Sequence, residues 1–352
     1  MSRIFVKGYG AVSPAGWGAE ALRAALGCKE PLSIKELAPP ELSHSLRVRA
    51  VPTPSVKLGA LSHARLRRTS PIAQYAVAAA LEAIGQDAKT LGNGRRLGII
   101  YCAMTGCVKY SQRFYNETLK DPSTASPLIF PETVFNAPAS HLGALLGTTA
   151  INYTLVGDPG TFLQGLALAA DWLLSERVDG CVVIGAEELD WLVVEAYCLF
   201  DRTATVSEGA GALYLTREPA SDRFVELTAV TEPQVFTHKE SRRAAALQVR
   251  RAINDDTGPD ALLCDSRQGL PRMDVEEEAA WADWKGSRVS PKIICGEAFM
   301  AAAAWQCVAA VDAIAQGSCP AAVVSIVGTN EQAIAAEFAR TQAVASQGST
   351  AN

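Results

Sequence analysis

Histidine is scarce in this 352-residue chain: there are four, His44, His63, His141 and His238, and none follows His238. Imidazole chemistry is therefore excluded from everything beyond that point. The nine cysteines show no CxxC and no Cys/His ligand spacing, so they describe neither a zinc site nor a disulfide framework. Cys102, Cys181, Cys264 and Cys295 lie in or beside apolar runs and read as small core residues of a protein kept in a reducing compartment. No apolar run approaches a membrane span, and the opening MSRIFVKGYGAVSPAG has no apolar leader region, so a soluble cytoplasmic protein is expected. Runs of five or six like charges are also missing, and the net charge is −5. The most basic stretch, HARLRR at 63–68, reads as a solvated helix face, and nothing indicates nucleic-acid binding. GDPG at 157–160 lacks the glycine spacing and lysine of a phosphate loop. EGAGAL enters a strand and not a helix, so it fails the dinucleotide context.

What is present is apolar and regular. Hydrophobic residues make up 49% of the chain, enough for one large or two ordinary domains. SPIAQYAVAAALEAIG, 70–85, predicts an amphipathic helix with serine at its cap and proline at its first position. RRLGIIYCAM and AINYTLVG predict buried strands, and NAPASHLGALLG a short helix between them. EGAGALYLTRE and FVELTAVTEP predict adjacent antiparallel strands. Beyond Lys239 a helix is followed by the strand DALLCDS, a polar insert and the strand PKIICGE.

Two long stretches share one pattern. YTLVGDPGTFLQGLALAADWLLSERVDGCVVIGAEE, 153–188, runs from a strand through a tight corner into a long apolar helix, a polar turn and a buried strand. PKIICGEAFMAAAAWQCVAAVDAIAQGSCPAAVVSIVG, 291–328, repeats that order. Two copies of one βαβ unit imply two similar halves sharing a core, with sheets covered on both faces. The halves are expected at 1–220 and 221–352.

In order along the chain, GYGAVSPAG, FPETVFNAPASHLGALLG, VDGCVVIGAEE, SEGAGALYLTRE, PKIICGEAFMAAAA and SIVGTNEQAI are similar to six blocks of the β-ketoacyl synthases. The resemblance covers nearly the whole chain. It implies an α/β thiolase-like fold of two pseudo-duplicated halves in an α-β-α-β-α arrangement. In that family a cysteine at a buried helix N-terminus takes an acyl chain, helped by the positive end of the helix dipole. Two histidines of the second half drive decarboxylation of the extender, and backbone N–H groups of the nucleophile and of a C-terminal Gly-rich turn stabilise the oxyanion.

On this sequence the nucleophile position falls on Pro159, or with an offset of one on Asp158 or Gly160, inside the corner 157–161. The first histidine falls on Asp265, or on the next residue, Ser266, and the second on Glu297. A proline removes both a thiol and an N–H donor. Lys292, Gly296, Gly328, Thr329 and Asn330 match family positions, and Ile326 stands where a phenylalanine gates the acyl pocket. The second half is shortened between Gly296 and Gly328.

The resemblance thus implies no catalytic residues, no metal and no cofactor. It implies a subunit of chain-length-factor type that pairs with an active ketosynthase as a heterodimer or heterotetramer, and it allows a weaker contact with an acyl carrier protein. Phe130, Phe135, Asn136, His141, Asp158 and Ile326 are the candidates for interface and acyl tunnel, with simple core packing as the alternative. Asp158, Asp265 and Glu297 could instead supply general acid or base chemistry to a decarboxylase or acyltransferase, or cap helix N-termini. A homodimer that holds acyl groups without turnover is the third reading. Cys102 and Cys107, in YCAMTGC, could only serve as displaced nucleophiles.

Overall fold

The computed structural model describes residues 3–54, 59–89, 95–219, 223–237, 239–253, 258–329 and 331–342; His238 and Asn330 lie outside them. Its principal strands are β1 (Phe5–Ser13), β2 (Leu97–Ala103), β3 (Ile151–Val156), β4 (Gly180–Glu187) and β5 (Gly209–Thr216). They continue with β6 (Arg223–Val230), β7 (Leu262–Cys264), β8 (Ser287–Val289), β9 (Ala321–Val327) and β10 (Gln332–Gln342).

The first five strands are ordered β3-β2-β4-β5-β1 and the second five β8-β7-β9-β10-β6. Adding five to each number turns one order into the other, and the sense of every pairing matches. β2 is parallel to β3 and β4, as β7 is to β8 and β9. β5 is antiparallel to β4 and β1, as β10 is to β9 and β6. Even the register shifts recur, between Val6 and Gly8 in β1 and between Leu227 and Ala229 in β6. The pattern repeat read in the sequence is therefore a structural duplication.

Two sequence expectations are corrected. β5 and β6 are not a hairpin: β1 lies between them, so that Phe5 stands opposite both Thr216 and Glu226. The first strand takes the place between them, pairs with both and so joins the halves. PKIICGE is not a strand but a helical turn, Pro291–Cys295, started by proline and closed where Gly296 N–H donates to Lys292 O at φ +91°. A five-residue apolar run carries no period by which the two could be told apart. The polar insert before it contains a helix, Pro271–Ala280.

Two helices form the middle layer. Thr161–Leu174 joins β3 to β4, Phe299–Ala315 joins β8 to β9, and each touches strands of both halves. Helix Pro71–Ile84 covers the outer face of β1, β4 and β5, and Lys239–Ala252 lies on β10, completing an α-β-α-β-α stack. The first of these outer helices starts after Ser70 as expected, but the serine does not cap it. Glu188, at the end of β4, accepts from Ile72 N (3.3 Å) and from the Ser70 hydroxyl. Its other oxygen accepts from Lys109 N (2.9 Å) in the first turn of helix Val108–Lys120.

Helix Phe299–Ala315 is buried along almost its whole length. It approaches so closely that a Cβ on Gly185 would lie 2.4 Å from Met300 O, and one on Gly211 2.7 Å from Ala304 Cβ. Two of its polar side chains tie it to its surroundings: Gln306 Nε2 donates to Ser325 O (2.9 Å), and Asp312 accepts from Tyr9 Oη (2.8 Å) and Arg23 Nε (2.7 Å). Trp305 Nε1 donates to Val12 O (3.1 Å) and Ala210 O (2.9 Å), tying this helix to the first half. Trp305→Ala should therefore lower the unfolding free energy by about 3–5 kcal/mol, read by urea denaturation.

Candidate functional site

The corner between β3 and helix Thr161–Leu174 is buried, and its polar groups are spent on one another. Asp158 Oδ1 accepts from Gly160 N (2.9 Å) and from Gln332 Nε2 (2.7 Å), while Oδ2 accepts from Gln332 N (3.1 Å). The Gln332 amide is also 3.2 Å from Gln164 and 3.4 Å from the Thr161 hydroxyl. Asp158 is thus a helix cap and a clasp between the two halves. Pro159 has no N–H to offer, and the next three N–H groups, of Gly160, Thr161 and Phe162, are taken by Asp158 and Pro159.

The turn that faces this corner is occupied in the same way. Gly328 N donates to Gln332 O (2.9 Å), and Val327 N donates to the Ser266 hydroxyl (3.0 Å). A Cβ on Gly328 would lie 2.2 Å from Asp158 Oδ2, so the carboxylate fills the space over the turn. Buried Arg242 holds the turn from behind, donating from Nε to Gly328 O (2.9 Å) and from Nη1 to Met273 O (2.7 Å) and Glu276 (3.1 Å). Ile326 is fully buried and paired with Ile334.

Asp265 and Glu297 are equally engaged. Asp265 receives the Ser290 hydroxyl and Arg267 Nε (2.8 Å), and it is 1% exposed. Glu297, 2% exposed, accepts from Lys292 Nζ (2.8 Å) and caps the next helix through Phe299 N (2.7 Å). Gly296 sits tight against the loop before β5, 2.9 Å from Thr205 O when given a Cβ. Glu277, below Asp265, accepts from the Ser266 hydroxyl (2.7 Å) and the Ser325 hydroxyl (2.6 Å). Burial, reinforced by the charge of Asp265, pushes it up to about 7. Between Glu297 and the turn stand Phe299, with φ +47°, and Tyr197, whose rings meet at 5.2 Å. Tyr197 Oη accepts from Gln268 Nε2 (2.7 Å) and lies 3.4 Å from Thr329 Oγ1.

Arg242, Gln332, Tyr197 and Gln268 had no signal as a group in the sequence. Only Gln332 offered one, as an amide before the apolar run AIAA beside the Gly-rich turn. Both thiols of YCAMTGC are buried. Cys102 is fully buried with its Sγ 3.9 Å from Thr161 O, Cys107 Sγ is 3.7 Å from Val134 O, and burial pushes both thiols well up. All nine cysteines are free, and only Cys28 is exposed.

The remaining candidates form a separate surface. Phe130 and Phe135 are 56% and 39% exposed, so they are not core residues; Phe130 packs on Phe114 at 5.5 Å, and Phe135 lies over Gly106. Asn136 is exposed, and buried His141 pairs with Glu132 at 2.9 Å. Beside them β3 is a free edge of the sheet, with Tyr153 48% and Val156 57% exposed.

Burial raises Asp158 from 3.8 to about 6, against the lowering effect of its hydrogen bonds from Gln332 and Gly160. Between pH about 4 and 6 the folded chain keeps a proton that the unfolded chain releases, so this contribution to stability is complete below that window and is lost as pH rises through it. The wild type should lose about 3 kcal/mol relative to Asp158→Asn across the window, with a constant difference above pH 7. Paired urea titrations of the two proteins give the profile.

No family model and no curated protein matches the sequence. Solved structures do match along the whole chain. The ishigamide ketosynthase/chain length factor is 19% identical, with TM-score 0.76, over 96% of this chain and 99% of that one. A β-ketoacyl synthase from Burkholderia phymatum is 16% identical, with TM-score 0.79, over 97% and 100%. A ketosynthase in complex with its chain length factor from Xenorhabdus doucetiae is 14% identical, with TM-score 0.79, over 97% and 98%. The duplicated five-strand sheets and the two helices between them are thus the thiolase-like fold of ketosynthases and chain length factors.

Proposed function

We propose that this chain is a non-condensing ketosynthase-like subunit. It pairs in the cytoplasm with an active ketosynthase of a type II fatty acid, polyketide or polyene pathway, steadies that partner and helps shape its acyl tunnel. Its halves divide at 220/221. The observation that carries the reading is the clasp from Asp158 to Gln332. On this reading, internal hydrogen bonds take up the space that an acyl group would need, over a corner whose central residue is Pro159. Asp265 and Glu297 stand in ion pairs with Arg267 and Lys292, which suits positions that need no imidazole. Lys292, Gly296, Gly328 and Thr329 then serve as scaffold around the closed corner.

For the partner surface, β3 is the part best suited. Its sequence INYTLV has no charge and no proline, the devices that normally protect a free edge from pairing. Phe130, Phe135, Asn136 and His141 extend this surface toward the tunnel, and an acyl carrier protein contacts mainly the active partner.

Native mass spectrometry of the tagged chain taken from its own host should show a one-to-one complex, or a dimer of such complexes, with a Cys-bearing ketosynthase. Val156→Asp should weaken that complex about tenfold or more while leaving the urea midpoint unchanged. A clean homodimer would point to an acyl-binding protein without turnover. Conversion of an acyl thioester by the purified chain, lost in Asp265→Asn or Glu297→Gln, would make it an enzyme of altered chemistry.

A further inference from the structure

Beside the Lys292–Glu297 ion pair lies a cavity of about 320 Å³, lined by Arg47, Arg49, Thr205, Gln268, Lys292 and Glu297 among others. Arg47 and Arg49 reach it from one strand, Leu46–Arg49, where residues two apart share a face. That strand belongs to a small sheet with Lys35–Leu37 and Val206–Ser207, and an isolated bridge from Val206 to Glu297 sets it against the cavity wall.

The charges do not balance. Lys292 is neutralised by Glu297 at 2.8 Å. Arg49 is 7% exposed, yet its partners are two backbone carbonyls, Leu32 O at 2.7 Å from Nε and Ile293 O at 3.4 Å from Nη1. Arg47 donates to Thr203 O at 3.3 Å. Among the described residues neither guanidinium has a carboxylate partner, and the charged neighbour that Arg49 does feel is Arg47. Burial and, to a smaller degree, that second cation both weigh against its charged form. A buried guanidinium without a counter-ion is costly, and carbonyls alone do not offset it.

We propose that this cavity is an oxyanion site, taking the phosphate or carboxylate group of a small molecule between Arg47 and Arg49. Guanidinium forks match the paired oxygens of both groups, and two of them hold such an anion against solvent competition. The site goes beyond the partner-subunit reading and stands or falls separately from it.

Isothermal titration calorimetry on the full chain, in low-salt chloride buffer, tests it with inorganic phosphate and with succinate. At least one should bind saturably with one site per chain, and the one that binds assigns the chemistry. Arg47→Gln and Arg49→Met should each weaken binding about tenfold or more, whereas Arg67→Gln, at an exposed position of the basic stretch 63–68, should bind like the wild type. Arg47 is exposed, so its variant remains informative if Arg49→Met does not fold. No saturable binding of either anion, or equal binding by Arg47→Gln, would overturn the proposal.

Discussion

The structure depends on how closely helix Phe299–Ala315 lies against β4 and β5. Where it crosses them the strands carry glycine at 185 and 211, and a methyl group there would enter the helix backbone or its alanines. The helix in turn is built of alanine on its crossing faces. This contact explains two blocks of sequence that would otherwise suggest ligand chemistry. The glycines of IGAEE and EGAGAL are a floor for a helix, and the two glutamates that follow Gly185 take backbone N–H groups of neighbouring loops and helices. With the helix fixed, its N-terminus is held in the middle of the protein, facing the corner of the other half.

That placement creates an electrostatic demand. A buried helix N-terminus presents unpaired N–H groups and the positive end of a dipole, and it is stabilised by negative charge. In the enzymes that this chain resembles, a thiolate and a developing oxyanion meet that demand during reaction. Here Asp158 serves one helix and Glu297 the other, and each carboxylate has backbone N–H donors. The two ends are balanced differently. Glu297 has a cation, Lys292, whereas Asp158 has the neutral Gln332, and burial draws Asp158 toward its protonated form against the hydrogen bonds it receives. The fold itself thus gives acids at these positions a structural role, as acceptors for backbone N–H groups at the two helix starts.

Most strands and the long apolar helices were legible because each is a run of one period bounded by glycine, proline or polar residues; β8, β10 and helix Val108–Lys120 were not read. The duplication was legible because both copies keep a Gly-containing corner, a long apolar helix and the buried strand after it, although the strand read before the second corner is the helical turn Pro291–Cys295. Pairing was not: β5 and β6 are neighbours in sequence, and only the return of β1 between them decides otherwise. At the site, the absence of cysteine and histidine could be counted from the sequence. The groups that occupy the space could not, because Gln332 meets Asp158 across 174 positions and Arg242 meets Gly328 across 86. Such pairings leave no local period or spacing. Phe130 and Phe135 show the same limit from the other side, since the sequence left interface and core packing both open for them and only the exposed surface excludes the core.

The duplication also provides an internal comparison for the free edges. β3 and β8 hold equivalent places at the two ends of the sheet order, and a protein with no use for either edge would protect both. β8 is protected: it has three residues, and its central Arg288 is a charged side chain that folds back to donate to Trp281 O. β3 is twice as long and uncharged, and two of its apolar side chains face solvent next to an exposed aromatic cluster. Equal topology with unequal protection argues that β3 is kept open for pairing. A strand added there would continue the first half's sheet into a second molecule, and the closed corner at Asp158, immediately after β3, would then lie close to that junction.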